Sequence, residues 1–157
     1  MAETFTVAVT ARAAAPAATV YRLIADYRDG HPRIVPPKYF RNLVVEQGGY
    51  GAGTRIGFEM TELGSTRQAE AVVSEPEPGR VLVETELRSG IVTTFIVDPV
   101  GPGTCDVTIS GELPRKPGLA GRIEGLITAS ILPKIYRAEL ARIAACAAED
   151  EGPPARP

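Results

Sequence analysis

The stretch from Gly118 to Ala148 limits what this chain can fold into more than any other. Helix formers fill it and Pro133 is its one interruption. As a continuous helix it would reach roughly 45 Å. On a helical wheel Leu119, Ile123, Leu126 and Ile127 form one apolar arc. Tyr136, Leu140, Ile143 and Ala147 form a second, rotated by roughly 100°. The rotation falls at Pro133, which lacks the N–H for a helical hydrogen bond. The pattern predicts a bent helix whose halves press on different parts of one partner.

That partner is a sheet. Thr4 to Ala13 alternates, with Phe5, Val7 and Val9 against threonines and alanine, as a strand with one buried face does. Pro16 then opens a helix with an apolar stripe of Val20, Leu23, Ile24 and Tyr27. DYRDGHPRIVPP, Asp26 to Pro37, has room for a short helix and a turn. From Lys38 the period becomes two. Strands are predicted at Tyr39 to Glu46, Arg55 to Met60, Thr66 to Ser74, Arg80 to Leu87, Ile91 to Val97 and Cys105 to Leu113. In the fourth of these Val81, Val83 and Leu87 share a face. The turns EPEPG, LRSG and PVGPG are short enough to join only antiparallel neighbours. A lone antiparallel sheet must cover its apolar face, and only the final helix is large enough. Strands curled around one helix leave room for a cavity.

EQGGYGAGTR, Glu46 to Arg55, looks most like a ligand motif. A dinucleotide fingerprint needs G-x-G-x-x-G before a helix. Here the spacing from Gly49 is G-x-G-x-G and a strand follows. Gly48 and Gly53 have the separation of a phosphate loop, but Thr54 and Arg55 follow them with no Lys. The helix N-terminus that makes such loops bind phosphate is missing as well. The stretch reads as a hairpin loop at the rim of a pocket, with Tyr50 exposed at its tip.

The chain has 157 residues, enough for one core-forming domain, and we expect residues 1–149 to form it with 150–157 as a disordered tail. A net charge of −2 argues against sequence-independent nucleic-acid binding, which needs a basic surface. One His and two Cys, without Cys-x-x-Cys, leave no metal-ligand spacing. Cys105 and Cys146 are expected as reduced thiols. The start MAETFTVAVTAR has no signal-peptide pattern, and no apolar run is long enough to span a membrane, so a cytoplasmic location is expected.

Four stretches carry a resemblance: ARAAAPAATVYRLIADY, VVEQGGYGAGTRIGF, TTFIVDPVGPGTCDVTI and LPKIYRAELARIAACAAE. Together, over about residues 3 to 149, the chain resembles the polyketide cyclase/dehydrase and lipid-transport superfamily, the helix-grip fold of START domains and the birch-pollen allergen. The resemblance implies an α+β fold in the order β-α-α-β6-α, a seven-stranded curved antiparallel sheet wrapped around a long C-terminal helix. It also implies a hydrophobic cavity between sheet and helix. On that layout Phe58, Met60, Phe95, Ile127 and Ile131 would line the cavity. His31, Ile34, Tyr39 and Phe40 would lie near its entrance.

Polar residues decide between binding and chemistry. His31 is the only side chain that titrates near neutrality unaided. In DGHPRI it reads either as a turn histidine on Pro32 or as a general acid/base at a pocket mouth. No G-x-S-x-G elbow accompanies it. Arg67 shares a face with Ala69, Ala71 and Val73. If inward, it needs a partner such as Glu59 or Glu62, or an anionic ligand. Tyr21, Tyr27, Tyr39 and Tyr136 offer hydroxyls. The first expectation is a carrier or binding protein for a small hydrophobic molecule (a polyketide, lipid or aromatic), working as monomer or homodimer without a cofactor. The second is a cofactor-independent cyclase or dehydratase using His31, Arg67 and tyrosines. A third is a protein–protein module that takes a partner's apolar helix in the groove. Inward polar density separates the first two, and Arg67 on a mostly apolar face favours binding.

Overall fold

A computed structural model describes residues 3–152. Its elements run β1 (Thr4–Ala13), α1 (Ala17–Ala25), α2 (His31–Ile34), β2 (Phe40–Gln47), β3 (Arg55–Glu62), β4 (Ser65–Glu77), β5 (Val81–Glu86), β6 (Val92–Gly101), β7 (Thr104–Pro114) and α3 (Gly118–Glu151). All seven strands form one antiparallel sheet in the order β1-β7-β6-β5-β4-β3-β2. From β2 to β7 each strand pairs with the next in sequence, the meander that the short turns predict. Only β1 pairs out of sequence order, with β7. The fold is α+β, a curved sheet gripping a long C-terminal helix. No helix of the described residues is long and apolar enough to cross a membrane.

Local chemistry sets the strand faces. On β7, Cys105, Val107, Ile109, Gly111 and Leu113 point inward; on β4, Ala69, Ala71 and Val73 do. On β5 the inward set is Leu82, Glu84 and Glu86, so Val81 and Val83 take the outer face. Leu87 lies just beyond the strand and is exposed. β5 has the period of two that its sequence predicts, but its more apolar set is not the buried one. Pairing with β4 and β6 fixes the register, and one residue of slip would turn every side chain over.

Helix α3 runs unbroken through Pro133, yet its two arcs have different fates. Leu132, Ile135, Tyr136, Glu139, Leu140, Ile143 and Ala147 are buried against α1, α2 and β1. Burying Ile135, Leu140 and Ile143 contributes about 1.5–3 kcal/mol each. Leu119 and Leu126 stay 75% and 73% exposed, and Ile123 and Ile127 are exposed too. The expectation that both halves press on the sheet holds for the carboxyl half alone. α3 also continues through Asp150 and Glu151, two residues expected in the tail, and 153–157 lie outside the described residues. Cys105 is buried, Cys146 half-buried, and both are free thiols.

Candidate functional site

The inner face of the sheet is more polar than its sequence suggests, and β5 is the reason. Glu84 projects inward between Leu82 and Glu86 and keeps its side chain 16% exposed. The Tyr27 hydroxyl donates to Glu84 Oε1 at 2.5 Å, and His31 Nε2 stands 3.4 Å from the same oxygen. His31 Nδ1 lies 2.8 Å from the Ile24 carbonyl. A carbonyl only accepts, so Nδ1 carries a proton and Nε2 is the nitrogen facing the carboxylate. The Tyr27 and His31 rings stack with centroids 4.4 Å apart, and Phe95 meets the imidazole edge-on at 5.8 Å. Burial, and then the Glu84 charge, push the Tyr27 phenol well above its ordinary pKa, which keeps it a donor.

Helix α3 adds Tyr136 and Glu139 to this interior. Glu139 is 5% exposed. Burial first, and the Glu84 charge second, hold its carboxyl well above the usual carboxylate range. Tyr136 sits over Gly111, where a Cβ would stand 2.1 Å from the phenol oxygen. Its phenol is also pushed upward, by burial and then by the Glu139 charge, partly offset by the Thr93 hydroxyl. Thr93, Glu84 and Ile131 are half-buried around this point.

Closer to the surface, Arg67 makes two bonds to Glu86, at 2.5 and 3.1 Å, and approaches Met60 Sδ at 3.3 Å. Glu86 is buried while the Arg67 side chain is 41% exposed, so the pair straddles inside and outside. Arg67 and Met60 line a groove of about 540 Å³ between the β3–β4 hairpin and the amino half of α3, with Leu63, Ile123 and Ile127 as further apolar wall. A second groove of about 550 Å³ lies on another side, over Pro32, Phe40, Leu43 and Arg142.

Met60, Arg67 and Ile127 therefore meet in one groove, and Ile131 packs on the core beyond them. Phe40 and Phe58 pair edge to face at 5.9 Å, half-buried, with Phe40 on the second groove. Tyr39 is half-buried with the Lys38 ammonium 5.4 Å from its ring. Ile34 and Phe95 are core residues, 0% and 1% exposed. His31 does not sit at a pocket mouth: it opens α2 and is 2% exposed. Arg67 does point inward, but its partner is Glu86, whereas Glu59 bonds Gln68. Glu84, Glu86 and Glu139 are the residues that sequence reasoning missed. The available signal was the alternation of VLVETE read on its other phase, and a Glu on the buried stripe of α3.

The glycine loop has a structural task. Tyr27 N–H donates to the Gly49 carbonyl, and Gly51 N–H to the Ala25 carbonyl, both at 2.9 Å. The Arg28 guanidinium donates to the Gly48 carbonyl at 2.7 Å. Gly49 has φ +141°, and a Cβ there would stand 2.4 Å from Arg28 Nε. Glu75 accepts from Ala52 N–H at 2.9 Å and from the Tyr21 hydroxyl at 2.6 Å. The loop thus clamps the end of α1, which fixes Tyr27 and His31 over Glu84. Tyr50 is exposed, as expected.

The sequence model of the family described as polyketide cyclase / dehydrase and lipid transport matches residues 4–148. No curated protein matches the chain significantly. Among solved structures, the KanY protein superposes with a TM-score of 0.79 at 23% identity, over 92% of this chain and 98% of its own. The Zhui aromatase/cyclase from Streptomyces sp. R1128 gives 0.77 at 16%, over 92% and 94%. Norcoclaurine synthase from Thalictrum flavum, solved with dopamine and hydroxybenzaldehyde, gives 0.72 at 18%, over 98% and 91%. At these identities the likeness is one of fold.

Proposed function

Because this chain belongs to the polyketide cyclase / dehydrase and lipid transport family, we propose that it binds a small hydrophobic molecule between the sheet and α3, as a carrier or binding protein. The observation that carries this reading is the groove of about 540 Å³ beside Met60 and Ile127. Large apolar side chains of the amino half of α3 stay uncovered there. A polyketide, a lipid or an aromatic molecule would cover them, with Arg67 at the rim for an oxygen substituent. The protein would act as a single domain in the cytoplasm, as monomer or homodimer. Native mass spectrometry of protein purified from its own host tests this. A co-purifying small molecule is the expected result. An empty protein that also fails to bind apolar probes saturably would overturn it.

The constellation of Tyr27, His31 and Glu84 favours a second reading, a cofactor-independent cyclase or dehydratase. Inward polar density separates enzyme from binder, and the three inward carboxyls Glu84, Glu86 and Glu139 raise it above the sequence expectation. Aldol-type chemistry needs orientation, a base and a donor to an enolate oxygen. His31 beside Glu84 would supply the base, with Tyr27 or Arg67 as donor. Once a co-purifying compound is known, turnover that survives both His31→Ala and Arg67→Ala in folded protein would remove this assignment.

A further inference from the structure

The groove of about 550 Å³ over Phe40 and Leu43 carries charge of one sign. Arg41 of β2 and Arg142 of α3 line it, and among the described residues no carboxylate does, whereas Glu62 and Glu124 line the groove beside Met60. Arg12, Arg33, Arg55, Arg67 and Arg80 each pair with a carboxylate. Arg41 and Arg142 hold backbone carbonyls instead: Arg41 Nε donates to the Pro37 carbonyl at 3.2 Å, and Arg142 Nε to the Arg33 carbonyl at 3.1 Å. Each guanidinium is thus steadied at its inner nitrogen and keeps the outer end of its fork for another acceptor. The backbone of β2 helps to assemble this lining. The three steps from Arg41 to Val44 face only two along β3, from Glu59 to Gly57, and Asn42 takes φ +54°. In a regular strand neighbouring side chains point to opposite faces. The bulge breaks that alternation, so the consecutive residues Arg41, Asn42 and Leu43 all border one groove.

We propose that this groove is a second binding site and takes a small organic carboxylate. The carboxylate lies between the Arg41 and Arg142 forks, whose planar donors match its two oxygens. The apolar body of the molecule covers Pro32, Val35, Phe40 and Leu43. A cleft with one sign of charge on apolar walls concentrates ions of the opposite sign. The volume is that of a small-molecule site. The groove beside Met60 selects differently: its one guanidinium, Arg67, is already held by Glu86, and Glu62 and Glu124 repel an anion there. The inference therefore stands on other residues than the hydrophobic-ligand reading and does not depend on it.

The test titrates 2-naphthoate and its methyl ester into the full chain at neutral pH and follows methyl groups by NMR. Naphthoate should shift Val35 and Leu43 saturably, and the ester should bind there about tenfold more weakly or less tightly still, the worth of a hydrogen bond to a charged group. Arg41→Gln and Arg142→Gln should each weaken naphthoate by about tenfold and leave the buried Ile135 methyl unmoved, since both arginines are exposed. Arg41→Lys and Arg142→Lys stand in where a Gln variant does not fold, and should also weaken binding because the fork is lost. Equal binding of acid and ester overturns the inference, as does naphthoate binding that survives the arginine variants. Naphthoate shifts confined to Met60 and Ile127 overturn it as well, while leaving the hydrophobic-ligand reading in place. Shifts of Val35 and Leu43 caused by a capped peptide of alternating Glu and Leu, with naphthoate inert, overturn it in favour of an acidic protein partner.

Discussion

Replacing Gly111 with Ala tests how closely α3 sits on the sheet beside the candidate site. Gly111 lies on β7, opposite Val7 of β1 and Thr93 of β6. A Cβ there would stand 2.1 Å from the Tyr136 phenol oxygen, 3.2 Å from its ring carbon Cζ and 3.5 Å from Leu113 Cδ1. Heavy atoms rest at roughly 3.5 Å or more, so the oxygen must retreat by more than about 1 Å. Tyr136 is buried and has nowhere free to go. Overpacking of this kind costs about 1–3 kcal/mol. At about 2–4 °C per kcal/mol for a chain of this size, the melting temperature should fall by roughly 2–12 °C. Tyr136→Phe removes the atom at 2.1 Å and leaves a ring carbon that need yield only slightly. The double variant should therefore recover most of the loss, with a coupling energy of about 1–2 kcal/mol. Urea denaturation of the wild type, both single variants and the double variant measures this. Additive losses, or a Gly111→Ala protein as stable as the wild type, would refute the packing argument.

Three further outcomes follow from the same geometry. Glu84→Ala leaves the buried Tyr27 hydroxyl without its acceptor and should cost about 1–3 kcal/mol, whereas Glu84→Gln keeps a carbonyl and should cost less; equal losses in urea denaturation would contradict this. Leu126→Ser, at a site 73% exposed, should change stability by no more than about 0.5 kcal/mol, while Ile135→Ala, fully buried, should cost about 2–5 kcal/mol; similar values would mean the amino half of α3 packs after all. The raised Glu139 pKa means the folded chain keeps a proton that the unfolded chain gives up, so this group favours the folded state most below its ordinary pKa and progressively less as pH rises toward its folded value. Glu139→Gln should therefore gain stability relative to wild type as pH rises above about 4.5, by at most about 1.4 kcal/mol per unit, and parallel stability curves would refute the assignment.

Element types were legible because hydrophobic period and turn chemistry agree locally. The change from helical spacing around Val20 to alternation from Lys38, and back at Gly118, needs no long-range knowledge. Arg67 could be placed inward because Ala69, Ala71 and Val73 mark its face. Its partner could not, since VLVETE offers an apolar and an acidic phase and only pairing with β4 and β6 chooses between them. What makes Glu84 tolerable inside comes from Tyr27 and His31, more than fifty residues earlier in the chain. His31 itself reads as a turn residue because Gly30 precedes it and Pro32 follows. A Pro inside the first turn of a short helix gives the same local pattern, and the burial comes from Phe95 and Glu84 across the core. Of the two arcs of α3 the more apolar one, Leu119 to Ile127, is the one left uncovered, and packing of the carboxyl half on β1, α1 and α2 is not visible in the helix's own sequence.

The central claim is that a hydrophobic molecule enters between the β3–β4 hairpin and the amino half of α3. Methyl-resolved NMR during a titration with 2-acetylnaphthalene addresses it directly, since Met60, Ile123, Ile127 and Ile131 are distinct reporters along that path. The account predicts saturable shifts at these methyls, with Leu43 and Val35 of the second groove unmoved. Saturable shifts confined to Leu43 and Val35, or no saturation at any methyl, would contradict it.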